Sequence, residues 1–278
     1  YNLLDETWIP VLTEDGHVET IGIRELFHRA NSLVDLACEL PTQSFALYRL
    51  LLAILYRATD GLYGTEGESA ERQWRDLWQN GLPHTEIKEY LDDWHDRFYL
   101  LGGEAPFHQV AELRTAKDTA SGLEVLIADV PNGSQFFTTR AGAALERIGY
   151  AEAALWLIHA HAYDPSGIRS GAVGDPRVKG GKGYPFGPGW AGQIGGILVI
   201  GDTLAQTLML NLVPYDRLGV DEDEAIWERE QHPTSVRFDC TLAGGLHPDP
   251  GPARLYTWPS RRIRLVESDG GVTGVVLS

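Results

Sequence analysis

Cysteine occurs only twice in the 278 residues, at Cys38 and Cys240, and methionine once. Two thiols without CxxC spacing exclude a disulfide framework and a cysteine-built zinc site, and both are expected as reduced, buried thiols. Nowhere does the chain run through the roughly 18 consecutive apolar residues that a membrane span needs. Its opening, YNLLDETWIPV, carries neither a basic nor a long apolar stretch of the secretory kind. The expected address is therefore the cytoplasm, with no membrane partner. Cations are also scarce: 23 Lys and Arg stand against 39 Asp and Glu, a formal charge of −16. That balance excludes a phosphate-binding surface spread over the whole molecule, because such binding depends on Lys and Arg displacing counterions.

The charge is uneven, however. Residues 216–230 carry seven acids against two arginines, whereas residues 164–196 carry four cations (Arg169, Arg177, Lys179, Lys182) against two acids (Asp164, Asp175). Any nucleic-acid contact must be local and centred on the second segment. That segment also holds 11 glycines in 33 residues and shows no helical or strand period. Glycine lets backbone approach a ligand closely or take positive φ, and loops beyond about 12–15 residues are usually functional or disordered. Tyr184, Phe186 and Trp190 argue for a functional loop, since disordered linkers are poor in aromatics.

With 43% hydrophobic residues and 8 Trp the remainder can bury a large core. Residues 8–11 and 17–23 flank Glu14-Asp15-Gly16 as a hairpin. The run TQSFALYRLLLAILYRA, residues 42–58, follows Pro41 with Thr42 as N-cap and is apolar almost all round, which reads as a core helix. Amphipathic helices are expected over 69–80, closed by Gly81, and over 85–98. A long helix is expected over 143–162, a buried strand over 194–200 (IGGILVI), and a helix capped by Asp202 running to Leu212. A second hairpin, 261–266 with 272–277, turns at Asp269-Gly270. No internal repeat is evident and strands do not alternate strictly with helices, so the class is α+β: one large mixed domain with N- and C-terminal hairpins, several helices and the long glycine-rich loop.

Catalytic signatures are missing. There is no GxSxG elbow and no HExxH. Gly181-Lys182 invites a phosphate-loop reading, but Pro176 stands where that pattern needs glycine and Gly183 where it needs Ser or Thr. His95-Asp96 lacks further ligands for a metal, His159 and His161 are two apart and diverge on a helix, and adjacent Asp92 and Asp93 cannot share a proton. A phosphate- or nucleotide-binding enzyme, with the glycine-rich loop over the phosphates and Lys179 or Lys182 neutralising them, stands as the alternative reading.

The opening NLLDETWIPV, the segments ELPTQSFALYRLLLAILYRA and FYLLGGEAPFHQ, and the loop DPSGIRSG together resemble the CasA family, the large subunit of the type I-E CRISPR Cascade complex. The resemblance runs over nearly the whole chain, and the first and last motifs are its most specific. It implies a non-catalytic subunit of a surveillance ribonucleoprotein, without cofactor or metal. Such a subunit sits beside the guide RNA, recognises the protospacer-adjacent motif (PAM) in double-stranded target DNA and helps recruit the helicase-nuclease. Carried over by position, the minor-groove reader corresponds to Pro165, Ser166, Gly167 and Ile168, with Arg169 and Ser170 beside it. Physics agrees, because a slot about 6 Å wide admits a side-chain-poor backbone. Arg177, Lys179 and Lys182 then face phosphates and fix position without reading sequence. A second loop, with Asn132, Gln135, Phe136, Phe137, Thr138 and Arg140, corresponds to the family's contact with the guide RNA handle and neighbouring subunits. One of its rings is free to stack on a base or to pack in the core. Family members continue past residue 278 through a wedge loop into a four-helix bundle, so residues 1–278 are expected to be the N-terminal α+β domain with that bundle absent.

Overall fold

The computed structural model describes residues 1–59, 69–130, 140, 142–165, 167–184, 187–219, 222–230 and 251–278. The chain opens with the hairpin β1 (Ile9–Thr13) and β2 (Val18–Ile21), turning at Gly16 with φ +82°, as the Asp-Gly pair requires. Helix α1 (Ile23–Arg29) follows, and then β3 (Leu33–Leu36), which pairs antiparallel with β1 to complete a sheet in the order β2-β1-β3. Three helices come next, α2 (Pro41–Ala58), α3 (Ala70–Asn80) and α4 (His84–Asp93), then α5 (Tyr150–Tyr163). The glycine-rich region contributes β4 (Arg169–Ser170), β5 (Lys182–Gly183) and α6 (Trp190–Ile194). The chain closes with α7 (Leu204–Leu210), α8 (Tyr215–Leu218), α9 (Pro252–Tyr256) and the hairpin β6 (Ile263–Ser268) with β7 (Gly271–Leu277). The fold is α+β.

The core is organised on α2, buried along most of its length and packed against α4, α5, α7 and α9. Its amino end is not capped by Thr42. Pro41 occupies the first helical position, where its missing N–H is no loss, and Gln43 Oε1 accepts the Leu40 N–H at 3.3 Å. The Thr42 hydroxyl lies 3.0 Å from His159 Nε2 on α5 instead, tying the two core helices together. Arg49, mid-helix and buried, donates to Leu255 O at 2.9 Å and lies over the Tyr256 ring, so its charge is satisfied where α9 crosses. On α3, Ser69 caps the first turn and Gly81 at φ +90° ends the last. Trp74 of α3 donates its indole N–H to Met209 O of α7.

Several sequence expectations are corrected. Helix α4 stops at Asp93 and a 3-10 turn, His95–Phe98, replaces its last part. The helix expected from residue 143 begins only at Tyr150, after a 3-10 turn over Gly142–Leu145. Thr203, not Asp202, caps α7, which ends at Leu210. Cys38 is a free, half-buried thiol, and Cys240 lies outside the described residues. The largest difference is 194–200. It is no buried strand: the short helix α6 ends at Ile194 and extended chain follows, with Ile197 92% and Ile194 68% exposed. The segment is held by Leu198, which packs on the core, and by Asn211, which receives the Val199 N–H at 3.0 Å and returns an amide N–H to Val199 O at 2.8 Å. Among the described residues, no helix is long and apolar enough to cross a membrane.

Candidate nucleic-acid interface

Helix α5 delivers the chain to Asp164, and the loop that leaves there returns to the same place. The Gly189 N–H donates to Asp164 O at 3.0 Å, and a Cβ on Gly189 would stand 2.4 Å from the backbone of Ala162, so only glycine lets the returning chain lie this close on α5. One guanidinium locks both ends. Arg261, sealed from solvent just ahead of β6, pairs its Nε with Asp164 Oδ2 at 2.5 Å. Its Nη2 donates to Asp164 O and Pro165 O, both at 3.2 Å, and to Gly187 O at 2.8 Å. Arg262, the next residue, reaches the middle of the loop, where it meets Asp175 Oδ2 at 3.0 Å and the Ser278 hydroxyl at 3.0 Å. Asp175 is itself buried, and its Oδ1 also accepts the Arg177 backbone N–H at 2.9 Å. Backbone donation from Arg177 and the nearby guanidinium charges hold the Asp175 carboxyl below its usual range despite its partial desolvation.

Within these anchors the loop is not featureless. Strands β4 and β5 pair antiparallel, and between Lys179 and Lys182 lies a two-residue turn, Gly180 at φ +57° and Gly181 at φ +73°. Positive φ at both central positions makes it a type I′ turn, the kind whose twist matches a hairpin. Lys179 and Lys182 are exposed at its two shoulders. Lys182 therefore opens a strand rather than a helix, and among the described residues no helix begins at it to cradle a phosphate as a nucleotide loop does.

The predicted reader residues fall at the exposed end of the loop. Pro165, Gly167 and Ile168 are exposed, Ile168 by 57%, and Ser166 lies outside the described residues. At Gly167 φ is not left-handed and an added Cβ would meet no atom within 4 Å, so its small size is not required by the protein's own packing. Arg169 turns inward, its Nη2 sharing both Asp164 oxygens at 2.8 Å, while Ser170 is half-buried in β4. In the second loop Asn132, Gln135, Phe136, Phe137 and Thr138 lie outside the described residues. Arg140, at its far end, is engaged by Glu39 at 2.9 Å, by Asp129 at 3.3 Å and by Glu152, and it stacks over Trp156. Arg140 thus anchors the end of that loop to α5.

Next to the loop's base lies a feature that spacing alone did not reveal. His108 and His161 lie face to face, ring centroids 4.3 Å apart, both buried. His108 Nε2 donates to Thr257 O and His161 Nε2 to His108 O, each at 2.8 Å, leaving both Nδ1 atoms without a partner among the described residues. Burial lowers His108 to about 4 and His161 well below its ordinary value, so both rings are neutral near pH 7. His159 is buried as well, although two residues from His161 on the helix, and burial lowers it to about 4. His95 is held by Asp5 at 2.8 Å, and among the described residues no three His, Cys, Asp or Glu side chains are grouped to hold a metal.

The profile of the family described as CRISPR-associated protein Cse1 matches residues 2–278. The chain belongs to the Cse1 family. A curated Cse1 relative from Thermus thermophilus, named CRISPR-associated protein CasA/Cse1, is 34% identical over 276 residues, covering 98% of this chain and 50% of its own length. The crystal structure of Thermobifida fusca Cse1 matches with a TM-score of 0.88 at 46% identity, over all of this chain and 51% of that one. A solved chain titled CRISPR RNA-guided surveillance complex has the same fold, with a TM-score of 0.73 at 21% identity, over all of this chain and 55% of its own. This Cse1 chain thus spans about half the length of the relatives it matches, and the resemblance to CasA read from its motifs holds.

Proposed function

We infer that this chain is the N-terminal α+β domain of a non-catalytic Cascade subunit that recognises the PAM in double-stranded target DNA. In this reading residues 165–168 enter the minor groove with Arg169 and Ser170 beside them, Arg177, Lys179 and Lys182 face the flanking phosphates, and residues 132–140 meet the guide RNA handle and neighbouring subunits. The assembled complex then recruits the helicase-nuclease. Family membership and the fold shared with a surveillance-complex chain support the setting. The observation that carries the reader assignment is Gly167: exposed, unhindered, and set on a loop whose two ends are locked by a buried arginine. A glycine that its own fold does not demand is accounted for by close approach of something else, and a groove about 6 Å wide is such a partner.

The test uses the full-length subunit in the guide-RNA complex, with duplexes that carry or lack the motif. Gly167→Ala leaves the thermal midpoint unchanged and weakens the motif-bearing duplex, while Gly167→Asp, which brings a carboxylate to the phosphate-lined groove, lowers discrimination about tenfold or more, on the scale of a mismatched pair. Full discrimination retained by Gly167→Asp removes the loop from recognition.

A further inference from the structure

The glycine-rich ribbon is met by an isolated antiparallel bridge from a segment well before it in the chain, with no sequence pattern linking the two. Thr115 bridges antiparallel to Ala172, and the Val173 N–H donates to Arg114 O at 2.8 Å. The 110–115 segment is fastened there by a small apolar cluster of its own, Leu113, Ala172 and Val276, with Val110 and Val266 against it. Burial alternates along this segment: Leu113 and Thr115 face in and Arg114 faces solvent. After Thr115 the chain turns, Asp118 at φ +50° donating its N–H back to Thr115 O at 2.9 Å, which leaves Lys117 exposed on the turn.

The cations around the ribbon divide into two sets. Arg169, Arg177, Arg261 and Arg262 pair with Asp164 or Asp175. Arg114, Lys117, Lys179 and Lys182 are exposed and make no ion pair among the described residues. On a chain of −16 net charge, four unengaged cations on one small ribbon form a local phosphate-binding track. The Val173 N–H that meets Arg114 O lies two residues beyond the Gly171 N–H that meets Gly181 O, so the Arg114 segment joins the ribbon just past the hairpin tip and carries the track beyond it.

We propose that Arg114 and Lys117 contact the phosphate backbone of the target duplex and extend the track begun by Lys179 and Lys182. This rests on the reading of residues 165–170 as the groove reader, which puts the duplex on this face. Glu112, exposed beside Arg114, works against it and gives the test a sign.

The experiment measures duplex affinity of the full-length subunit, in the guide-RNA complex, as a function of monovalent salt. Arg114→Gln and Lys117→Gln each flatten the slope of log affinity against log salt by about 0.9, leave the ratio between motif-bearing and motif-lacking duplexes unchanged, and leave the thermal midpoint of the subunit unchanged. Glu112→Gln raises affinity. An unaltered slope in the Arg114→Gln, Lys117→Gln double variant overturns the proposal. Gly167→Asp in parallel separates the two readings: it collapses the ratio while keeping the slope. A retained ratio in Gly167→Asp together with a flattened slope in the double variant sinks the reader and leaves the track standing.

Discussion

The base and the tip of the glycine-rich loop use the same charge in opposite ways. At the base, Arg261 is sealed beneath the loop and its guanidinium is consumed by one carboxylate and four carbonyls, those of Asp164, Pro165, Gly187 and Ser260. At the tip, Lys179 and Lys182 stand in water with no ion pair among the described residues. The planar fork of arginine suits fixed, multiple acceptors, and the flexible, strongly hydrated ammonium of lysine suits a partner that arrives from solution. The difference teaches where this loop is rigid and where it is available. Its ends cannot wander, so the exposed backbone between them is presented in one place, and presentation of that kind is what shape readout in a groove requires.

The comparison breaks most severely at Arg261. Arg261→Met leaves the buried Asp164 carboxylate to Arg169 alone and takes the donor from the carbonyls of Pro165 and Gly187, a loss of up to about 3–5 kcal/mol on the scale of a broken buried pair, to be read as a lowered midpoint in chemical denaturation. Adding Asp164→Leu together with Arg169→Met recovers most of that loss, because a matched apolar set is close to neutral where a buried charge short of partners is not. Acid acts on the same base through His108 and His161. Both are held neutral by burial, so the unfolded chain binds more protons below its ordinary imidazole value of about 6.5. Stability is complete above that pH and falls as pH drops toward 4, by roughly 3 kcal/mol for His108 alone. Denaturation midpoints at pH 7 and pH 4.5 check this, and a flat profile contradicts the neutral pair. At the turn, Gly181→Ala places a Cβ at φ +73° and costs about 1–2 kcal/mol of local strain, to be read as faster amide exchange in β4 and β5. The smallest effect on the fold is at the tip. Lys179→Gln and Lys182→Gln each change stability by no more than about 0.5 kcal/mol, yet in the assembled complex each flattens the salt dependence of duplex binding by about 0.9.

Much of the scaffold was legible because it is locally encoded. The Asp-Gly turns define both terminal hairpins, Ser69 and Gly81 bracket α3, and the all-round apolar character of 42–58 reports its place in the core. The run 194–200 was misread because apolarity was equated with burial, whereas Ile197 and Ile194 stand in solvent. The segment 169–183 showed no period because its strands are only two residues long, too short for alternation to register. The candidate loop was legible; its anchors were not. Glycine content and local charge marked the loop, but neither Arg261 and Arg262 nor Arg114 and Lys117 were singled out, since no local pattern links them to residues far away in the chain. The signal that was available is chemical: Asp164 and Asp175 are the only acids in the loop, both are buried, and a buried carboxylate demands a cation from somewhere.

Asp164 and Arg261 stand 97 positions apart. At about 5–20 residues per second of synthesis, the carboxylate leaves the ribosome roughly 5–20 s before the guanidinium that secures it. During that interval α5 can already pack on α2 while the loop beyond it stays unfastened, so a residue made long after the loop fixes where its two ends lie.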